Sequence, residues 1–430
     1  MKFGYLVPEF PGQTHTFFWR EVLALRELGL QPELVSTRRP KSHTMPQLWA
    51  SQAESATQYL SPLSLGAATA AGLALIQALI KGRGGRIMGE LSTEVRRLSA
   101  AEGPATAIKG LLRLLGLLVV GAELAGLARR RGWTHVHVHS CADSAQVALF
   151  AHHVAGLNYS LTLHGPLGDY GPNQPGKWRH SEFATVITDA LLHEIRSAMG
   201  PDVAARTGVA PMGVDSRQFS RQEPYRAWSG EGAARIFSCG RLNIGKGHDV
   251  LVRAVRQLVA NGMNVQLVIA GEDEEGGRGY REDLERLVSS EDLSGRVTLL
   301  GAVPEEEVRD QLANAHVFAL ASHAEPLGVA IMEAMSMEVP VVVTAGGGVK
   351  ELVENGVTGI LVRPGDPAEL AKSLRAVLTT PELAFSLSGA CREHVASSFS
   401  SKRGARELAD RILIASRKNS GSGILEARSQ

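Results

Sequence analysis

Glu325 and Glu333 are the two residues whose type and spacing most directly suggest chemistry, with seven residues between them and Pro-Leu-Gly after the first. The run 316–321 is strand-like, and 327–337 has a helical pattern. Glu325 is therefore expected at a helix N-terminus, where free N–H groups and the helix dipole attract anions. Glu333 follows at most ~12 Å along the axis. A phosphate at the helix end, with a carboxylate near each end of the ligand, indicates a sugar nucleotide.

A pair of cations forms the second candidate group. Arg241 and Lys246 are five positions apart, on the loop between a strand-like run at 235–239 and a helix that begins near His248. Two fixed positive charges can hold a diphosphate and stabilise the charge that develops when it leaves.

The elements that must position these residues follow an α/β pattern, in which short apolar runs alternate with helical stretches. A first series of strands is predicted at 2–7, 32–36, 133–139, 160–164 and 184–188, and a second at 235–239, 265–270, 297–300, 316–320, 339–343 and 359–362. The polar segment 216–233 separates the series. We therefore predict domains at 1–215 and 216–400, a helix at 401–417 that returns to the first domain, and a disordered tail at 418–430.

Open parallel sheets bind ligands beyond the carboxyl ends of their strands. Several polar or glycine residues follow or end predicted strands, namely Gly12, His164, Arg241, Asp273, Gly301, Glu325 and Gly346. If both sheets present these ends to one cleft, all of the candidates meet there.

Taken in order, Gly240-Arg241-Leu242…Lys246-Gly247, Glu325-x7-Glu333 and Gly346-Gly347-Gly348…Glu351 resemble the motifs of the retaining GT-B glycosyltransferases of family 4 (glycosyltransferase group 1), in the exopolysaccharide or colanic-acid branch. The resemblance implies two Rossmann-like domains facing a cleft. It also implies transfer of a sugar, with retention, from a UDP- or GDP-linked donor to a hydroxyl of a saccharide, lipid-linked saccharide or glycolipid. No metal or cofactor is expected, since the donor is a co-substrate.

The resemblance also implies roles for individual residues. Arg241 and Lys246 would contact the phosphates, Glu325 the donor sugar, Glu333 the ribose, and His164 the sugar near the reacting carbon. The remaining nucleotide-sugar-binding candidates are Gly12, Gly240, Asp273, Gly301, Val303, Leu327, Gly328, Gly347 and Gly348. The first loop departs from the family pattern, because Gln13-Thr14-His15-Thr16 stands where many relatives have Ser-Glu-Thr.

Bulk composition excludes some classes of protein. The 45 Lys and Arg against 44 Asp and Glu give a net charge of +1, so no global field favours nucleic acid. Three cysteines without metal spacing argue against a disulfide scaffold or a zinc site. His135, His137 and His139 would share one face of a strand, but no carboxylate or cysteine cluster accompanies them. The N-terminal run reads as a strand rather than a signal peptide, which predicts a cytoplasmic protein.

Two apolar stretches within 63–131 leave two interpretations open. Basic residues follow both 63–80 and 108–127, but internal charges in one and abundant Ala and Gly in the other argue against membrane spans. They are either helices packed on the N-terminal domain or an interfacial surface. An interfacial surface would hold the protein on the inner face of a membrane near a lipid-linked acceptor.

Other functions remain as alternatives. A dinucleotide oxidoreductase is disfavoured, because 8–14 lacks a Gly-x-Gly-x-x-Gly turn. A hydrolase would need both carboxylates beside one glycosidic bond. A GT-B sugar-nucleotide epimerase and a non-catalytic carbohydrate-binding subunit stay open, as do the sugar, the base and the acceptor.

Overall fold

The computed structural model describes residues 1–12, 15–40, 48–60, 64–273 and 279–426. The strands are β1 Lys2–Glu9, β2 Gln31–Arg38, β3 Gln58–Tyr59, β4 His135–Val138, β5 Asn158–Leu163, β6 Ala184–Val186, β7 Thr207–Val209, β8 Ala234–Cys239, β9 Val265–Ala270, β10 Val297–Gly301, β11 Val317–Leu320, β12 Val341–Thr344 and β13 Ile360–Val362. The helices of the first half are α1 Thr16–Glu27, α2 Ala50–Ala56, α3 Leu65–Ile80, α4 Gly84–Glu102, α5 Pro104–Arg131, α6 Asp143–Ala155, α7 Gln174–Arg179, α8 Asp189–Met199 and α9 Pro201–Ala205. Those of the second half are α10 His248–Ala260, α11 Tyr280–Ser290, α12 Glu305–Asn314, α13 Val329–Ser336, α14 Val349–Leu352, α15 Pro367–Thr379, α16 Pro381–Ser398 and α17 Ser401–Glu426.

Two separate parallel sheets confirm the predicted fold class. The N-terminal sheet has the order β3-β2-β1-β4-β5-β6-β7, and the C-terminal sheet has the order β10-β9-β8-β11-β12-β13. In each sheet the strand order reverses beside a central strand, β1 or β8, which is where ligands bind on such folds. The edge strands β3 and β7 are additions to the predicted set, because two or three residues carry no readable alternation.

The strands are apolar on both faces because helices cover both sides of each sheet. In β1, Phe3, Tyr5, Leu6 and Val7 are all fully buried. Phe3, Tyr5 and Val7 pack in a cluster with α1 and α17, whereas Leu6 packs in the cluster that contains the interior of α5 and α6.

The last helix returns to the N-terminal domain. α17 begins where Ser401 N donates to Val214 O at 3.0 Å, and its buried residues Leu408 and Ile412 pack in the cluster of β1 and α1. The helix ends at Glu426. The disordered tail expected at 418–430 stays a prediction.

A three-helix layer, α3 to α5, covers one side of the N-terminal sheet. α5 approaches α6 closely at Gly121, where an added Cβ would lie 2.7 Å from Phe150 Cβ and 2.8 Å from Val147 O. By length and composition alone α5 could cross a membrane, but 56% of its apolar window is buried inside the protein. Packing on the N-terminal domain therefore accounts for its buried face.

Candidate functional site

Glu325 lies in the loop between β11 and α13, with its side chain buried. Its Oε2 accepts hydrogen bonds from Lys246 Nζ at 2.5 Å and from Ser322 Oγ at 3.1 Å. Gly328, with φ +97°, precedes the first turn of α13. The Glu325 carboxylate thus lies beside the start of a helix, as the spacing predicted. It is paired with Lys246, a cation from the loop that follows β8.

The three glycines Gly346, Gly347 and Gly348 pack against the backbone of the Glu325 loop. Glu325 N donates to Gly346 O at 3.2 Å, and Gly348 N donates to Glu325 O at 2.9 Å. An added Cβ would lie 2.4 Å from His323 O at the first glycine, 2.3 Å from Glu325 O at the second and 2.1 Å from Pro326 O at the third. Only glycine permits this backbone contact, so the segment positions Glu325 rather than acting as a plain flexible turn.

The loop that carries Arg241 and Lys246 is tied to the same place. His323 N donates to Gly245 O at 2.9 Å. Gly247, with φ +62°, passes so close that a Cβ would lie 2.1 Å from Ala321 O. α10 begins at the next residue, which confirms the predicted helix start. Backbone contacts between the loops after β8 and β11 therefore fix Lys246 beside Glu325.

The first loop of the N-terminal domain faces the Arg241 loop. Burial, and secondly the positive charge of Arg241, lower the pKa of His15 to about 4. Gly12 O accepts a hydrogen bond from His15 N at 3.0 Å, which places Gly12 in the same turn. Gln13 and Thr14, where the family pattern is broken, lie outside the described residues.

Glu333 does not lie free in the cleft. Arg20 Nη2, from α1 of the N-terminal domain, donates to Glu333 Oε1 and to Glu305 Oε2, both at 2.8 Å. Burial raises the pKa of Glu333, the positive charge of Arg20 opposes that rise, and Glu305 adds to it. Glu333, which was predicted to bind the ribose, therefore also forms an ion pair with Arg20 between the two domains. Sequence reasoning missed Arg20, which lies off the helical stripe formed by Phe18, Val22 and Leu25 and carries no local signal of its partners in the other domain.

His164 follows β5 and begins a chain of polar contacts that leads into the N-terminal core. Its Nε2 lies 3.2 Å from His139 Nδ1, and His139 Nε2 lies 3.0 Å from Glu21 Oε2. Tyr5 OH donates to the same Glu21 oxygen at 2.6 Å. Burial lowers the pKa of both histidines to about 3, so both rings are neutral at pH 7 and act through hydrogen bonds. Neither Glu21 nor Tyr5 was a predicted site residue.

The His164 segment reaches the Glu325 loop. An added Cβ on Gly165 would lie 3.8 Å from Pro326 Cγ, which is ordinary van der Waals contact across the two domains. Glu351 forms a second bridge, because its carboxylate accepts from Asp189 N at 2.7 Å and from Ala190 N at 2.8 Å at the start of α8. Glu351, the last residue of the predicted glycine motif, therefore caps a helix of the other domain.

The remaining predicted residues surround the β8–β10 side of the site. A Cβ added to Gly271 would lie 1.9 Å from Gly240 O. Gly271 N donates to Gly301 O at 2.8 Å. Asp273 Oδ1 accepts from Arg281 N at 3.0 Å, so this side chain caps α11. The side chain of Leu327 is buried in the core, and that of Val303 packs against the same core.

The histidine-rich strand β4 hydrogen-bonds to its neighbour. His135 Nε2 and His137 Nδ1 both lie 2.8 Å from Ser160 Oγ, and His137 Nε2 lies 2.8 Å from Thr162 Oγ1. Across the described ranges, no group of three or more His, Cys, Asp or Glu residues is arranged to hold a metal ion.

Known proteins are similar to this chain in sequence and in fold. Residues 226–394 match the family described as glycosyl transferases group 1. The chain is 27% identical to the putative colanic acid biosynthesis glycosyltransferase WcaL of Escherichia coli K12, over 95% of this chain and 98% of that one. It is 26% identical to the alpha-D-kanosaminyltransferase of Streptomyces kanamyceticus, over 69% and 83%.

Solved structures extend the likeness to the whole fold. The Anabaena protein Alr3699/HepE, crystallised in complex with UDP, superposes with a TM-score of 0.70 at 18% identity, over 96% of this chain and 99% of that one. Sucrose-phosphate synthase of Thermosynechococcus elongatus gives a TM-score of 0.70 at 18% identity, over 97% and 100%. Residues 226–394 are therefore similar to the glycosyl transferases group 1 family, and the whole chain has the two-domain GT-B fold.

Proposed function

We propose that the protein is a retaining, metal-independent family 4 glycosyltransferase that uses a UDP- or GDP-linked sugar. Its acceptor would be a hydroxyl of a saccharide, lipid-linked saccharide or glycolipid in envelope polysaccharide or glycolipid synthesis, at the cytoplasmic side of the membrane. The observation that carries the proposal is the contact of Lys246 Nζ with Glu325 Oε2 at 2.5 Å, which puts a cation and a carboxylate side by side in the loops that follow β8 and β11.

The proposed roles of these residues give the donor one orientation in the cleft. Its diphosphate lies between Arg241, Lys246 and the start of α13, where cations and free N–H groups stabilise the leaving charge. Its sugar lies between Glu325 and His164, and its ribose toward Glu333. Because a carboxylate offers about four acceptor positions, Glu333 can bind ribose hydroxyls and keep its bond to Arg20.

In the proposed reaction the acceptor hydroxyl attacks the anomeric carbon from the side that the phosphate leaves. The leaving phosphate oxygen takes the hydroxyl proton, so no enzymatic nucleophile is needed on the opposite face. Neutral His164 donates or accepts a hydrogen bond near the reacting carbon, and closure of the two domains excludes water, which limits hydrolysis of the donor.

Two comparisons support the choice of donor and pathway. WcaL is named as a colanic acid biosynthesis enzyme, and HepE has been crystallised with UDP and with UDP-glucose. WcaL supports the pathway through similarity of sequence, and HepE supports the donor through similarity of fold.

The first test is ligand-dependent thermal stability. Wild type, Lys246→Ala and the exposed control Lys350→Ala are heated with UDP, GDP, ADP and their common sugar conjugates. A ligand that binds only the folded state raises the melting temperature by mass action. We expect one nucleotide class to stabilise wild type and Lys350→Ala, and to stabilise Lys246→Ala much less.

The reaction is then followed with the donor that binds. Release of the nucleoside diphosphate on addition of an acceptor, with the anomeric configuration of the donor kept in the product, supports retaining transfer. Conversion of the donor into an epimer without any acceptor indicates an epimerase instead. Absence of a shift with every nucleotide, in folded protein, would overturn the enzyme proposal in favour of a non-catalytic subunit.

A further inference from the structure

The helix α3 has an inverted distribution of apolar side chains. Small residues Ala71, Ala74 and Ala78 face the protein interior. The large side chains Leu65, Leu73, Ile76, Leu79 and Ile80 are exposed to solvent. A helix that only covers a soluble domain turns its large apolar side chains inward. In α3 these side chains point outward instead, so the helix has an apolar outer face.

The neighbouring helices add to this outer face. Met88 of α4 and Ile108, Leu112 and Leu115 of α5 are also exposed, and the last three lie on one side of their helix at spacings of four and three. Among the described residues, nine of the seventeen large hydrophobic side chains with high exposure belong to α3, α4 and α5. Exposed apolar surface concentrated in this way marks a contact with a partner or a membrane.

The excess of basic residues around this face favours a membrane over a protein partner. Between residues 65 and 116 the sequence has seven basic and three acidic residues. Of the acidic ones, Glu94 is buried and paired with Arg97 at 2.7 Å. Lys81, Arg86 and Lys109 are exposed. An apolar stripe with basic residues beside it is the pattern of a helix that lies in the surface of an anionic bilayer.

The position of the face relative to the cleft fits a membrane-bound acceptor. Arg113 forms an ion pair with Asp143, the first residue of α6, which follows the carboxyl end of β4. The first turns of α5, with Ile108 and Leu112, therefore extend past the edge of the sheet where the cleft lies. α4 ends at the same side, because Gly110 of α5 packs against Leu98 of α4.

We propose that the outer face of α3, α4 and α5 docks on an anionic lipid surface. The side chains of Leu73, Ile76, Ile108 and Leu112 enter the boundary between head groups and acyl chains, and Lys81, Arg86 and Lys109 contact lipid phosphates. The contact keeps the helices parallel to the surface, with the inner face of α5 still packed on α6. This inference does not depend on the proposed reaction, because docking is measured without donor or acceptor.

The test is flotation of the full-length chain with vesicles. One set contains phosphatidylglycerol and phosphatidylethanolamine, and the other contains phosphatidylcholine alone. We expect wild type to bind the anionic vesicles at least tenfold more tightly, and high salt to weaken that binding because it screens the phosphates. Equal partition into both sets, or no flotation, would overturn the proposal.

Two double variants locate the contact, Ile108→Ser with Leu112→Ser and Leu73→Ser with Ile76→Ser. Each should lower binding to anionic vesicles at least tenfold and leave the melting temperature close to that of wild type, because all four side chains are already exposed. Phe385→Ser, which removes an exposed ring of α16, is the matched control and should bind as wild type does. Lys81→Gln with Arg86→Gln should weaken binding to anionic vesicles and reduce its dependence on salt.

A second copy of the chain is the competing occupant of this face. Light scattering over a range of concentrations, without lipid, measures self-association. A dimer that the Ile108→Ser, Leu112→Ser variant dissociates, together with no flotation of wild type, would assign the face to an interface between copies and overturn the lipid proposal. Wild-type flotation that both apolar double variants retain would also overturn it.

Discussion

Arg20 and Glu333 lie 313 positions apart in the sequence, yet their side chains meet at 2.8 Å between the two domains. The same Arg20 nitrogen also contacts Glu305 at 2.8 Å, and the guanidinium lies over the ring of Phe219, 4.9 Å from its centroid. One buried cation therefore bridges two buried carboxylates of the C-terminal domain. It also holds the residue that the family resemblance assigns to the donor ribose.

Replacing Arg20 with Met should destabilise the protein strongly. The two carboxylates would remain buried without a cation, and breaking a buried ion pair on one side costs about 3–5 kcal/mol. Urea denaturation at pH 7.5 measures the change in the free energy of unfolding. Arg26→Met is the control. This exposed arginine of the same helix lies over the Trp19 ring, 5.7 Å from its centroid, and its loss should cost less than about 1 kcal/mol. Similar losses in the two variants would contradict an anchoring role for Arg20.

His139→Gln should slow turnover because it removes the ring that holds His164 Nε2 in place. A misplacement of a reacting group by about 1 Å can cost roughly 100-fold in rate, so we expect kcat to fall about 10- to 100-fold. KM for the donor should change little, and the pH profile of kcat should shift. His135→Gln, which changes a buried histidine two residues earlier that contacts Ser160, should leave kcat and its pH profile near wild type. A fall in stability with an unchanged pH profile would indicate a structural role only.

Gly347→Ala should disable the site, whereas Gly262→Ala should not. Both glycines have positive φ, +69° and +81°, so both substitutions carry a similar backbone strain of about 1 kcal/mol. At Gly347 the new Cβ would also lie 2.3 Å from Glu325 O, while at Gly262 nothing lies within 4 Å. Donor affinity, measured by calorimetry, should fall at least tenfold in Gly347→Ala alone. Equal affinities in the two variants would show that the glycine segment does not position Glu325.

Acid should destabilise the protein through its buried histidines. Burial lowers the pKa of His135 and of His248 to about 4, and that of His139 to about 3. Between the unfolded value of about 6.5 and these values, the unfolded chain binds more protons, so stability falls as the pH drops from 7 toward 4. Each histidine contributes at most about 1.4 kcal/mol per pH unit.

The raised pKa of Glu333 acts in the opposite direction, because the folded state takes up that proton first as the pH falls. The decisive comparison is therefore between wild type and His135→Gln in urea, at pH 7.5, 6 and 5. The variant should lose less stability over this range than wild type does. Parallel curves would contradict a buried, neutral His135.

The sequence by itself determined the parallel strands, their order along the chain and the loops that carry Arg241, Lys246 and Glu325. These depend on local signals: runs of Val, Ile and Leu set the strands, and glycines after them set the turns. The glycines at 346–348 were recognisable in the sequence as part of the family motif, and the structure adds that each lies too close to the backbone of 323–326 to accommodate a Cβ.

Only the tertiary structure decided which partner each charged residue meets. Glu333 was assigned to a ligand, but here it contacts Arg20. Glu351, known from the sequence only as part of a motif, contacts the start of α8. Such contacts depend on how the two domains sit, which no local pattern encodes. The orientation of α3 was equally hidden, because a helix made almost wholly of Ala, Gly, Leu and Ile has no polar face to show which side turns inward.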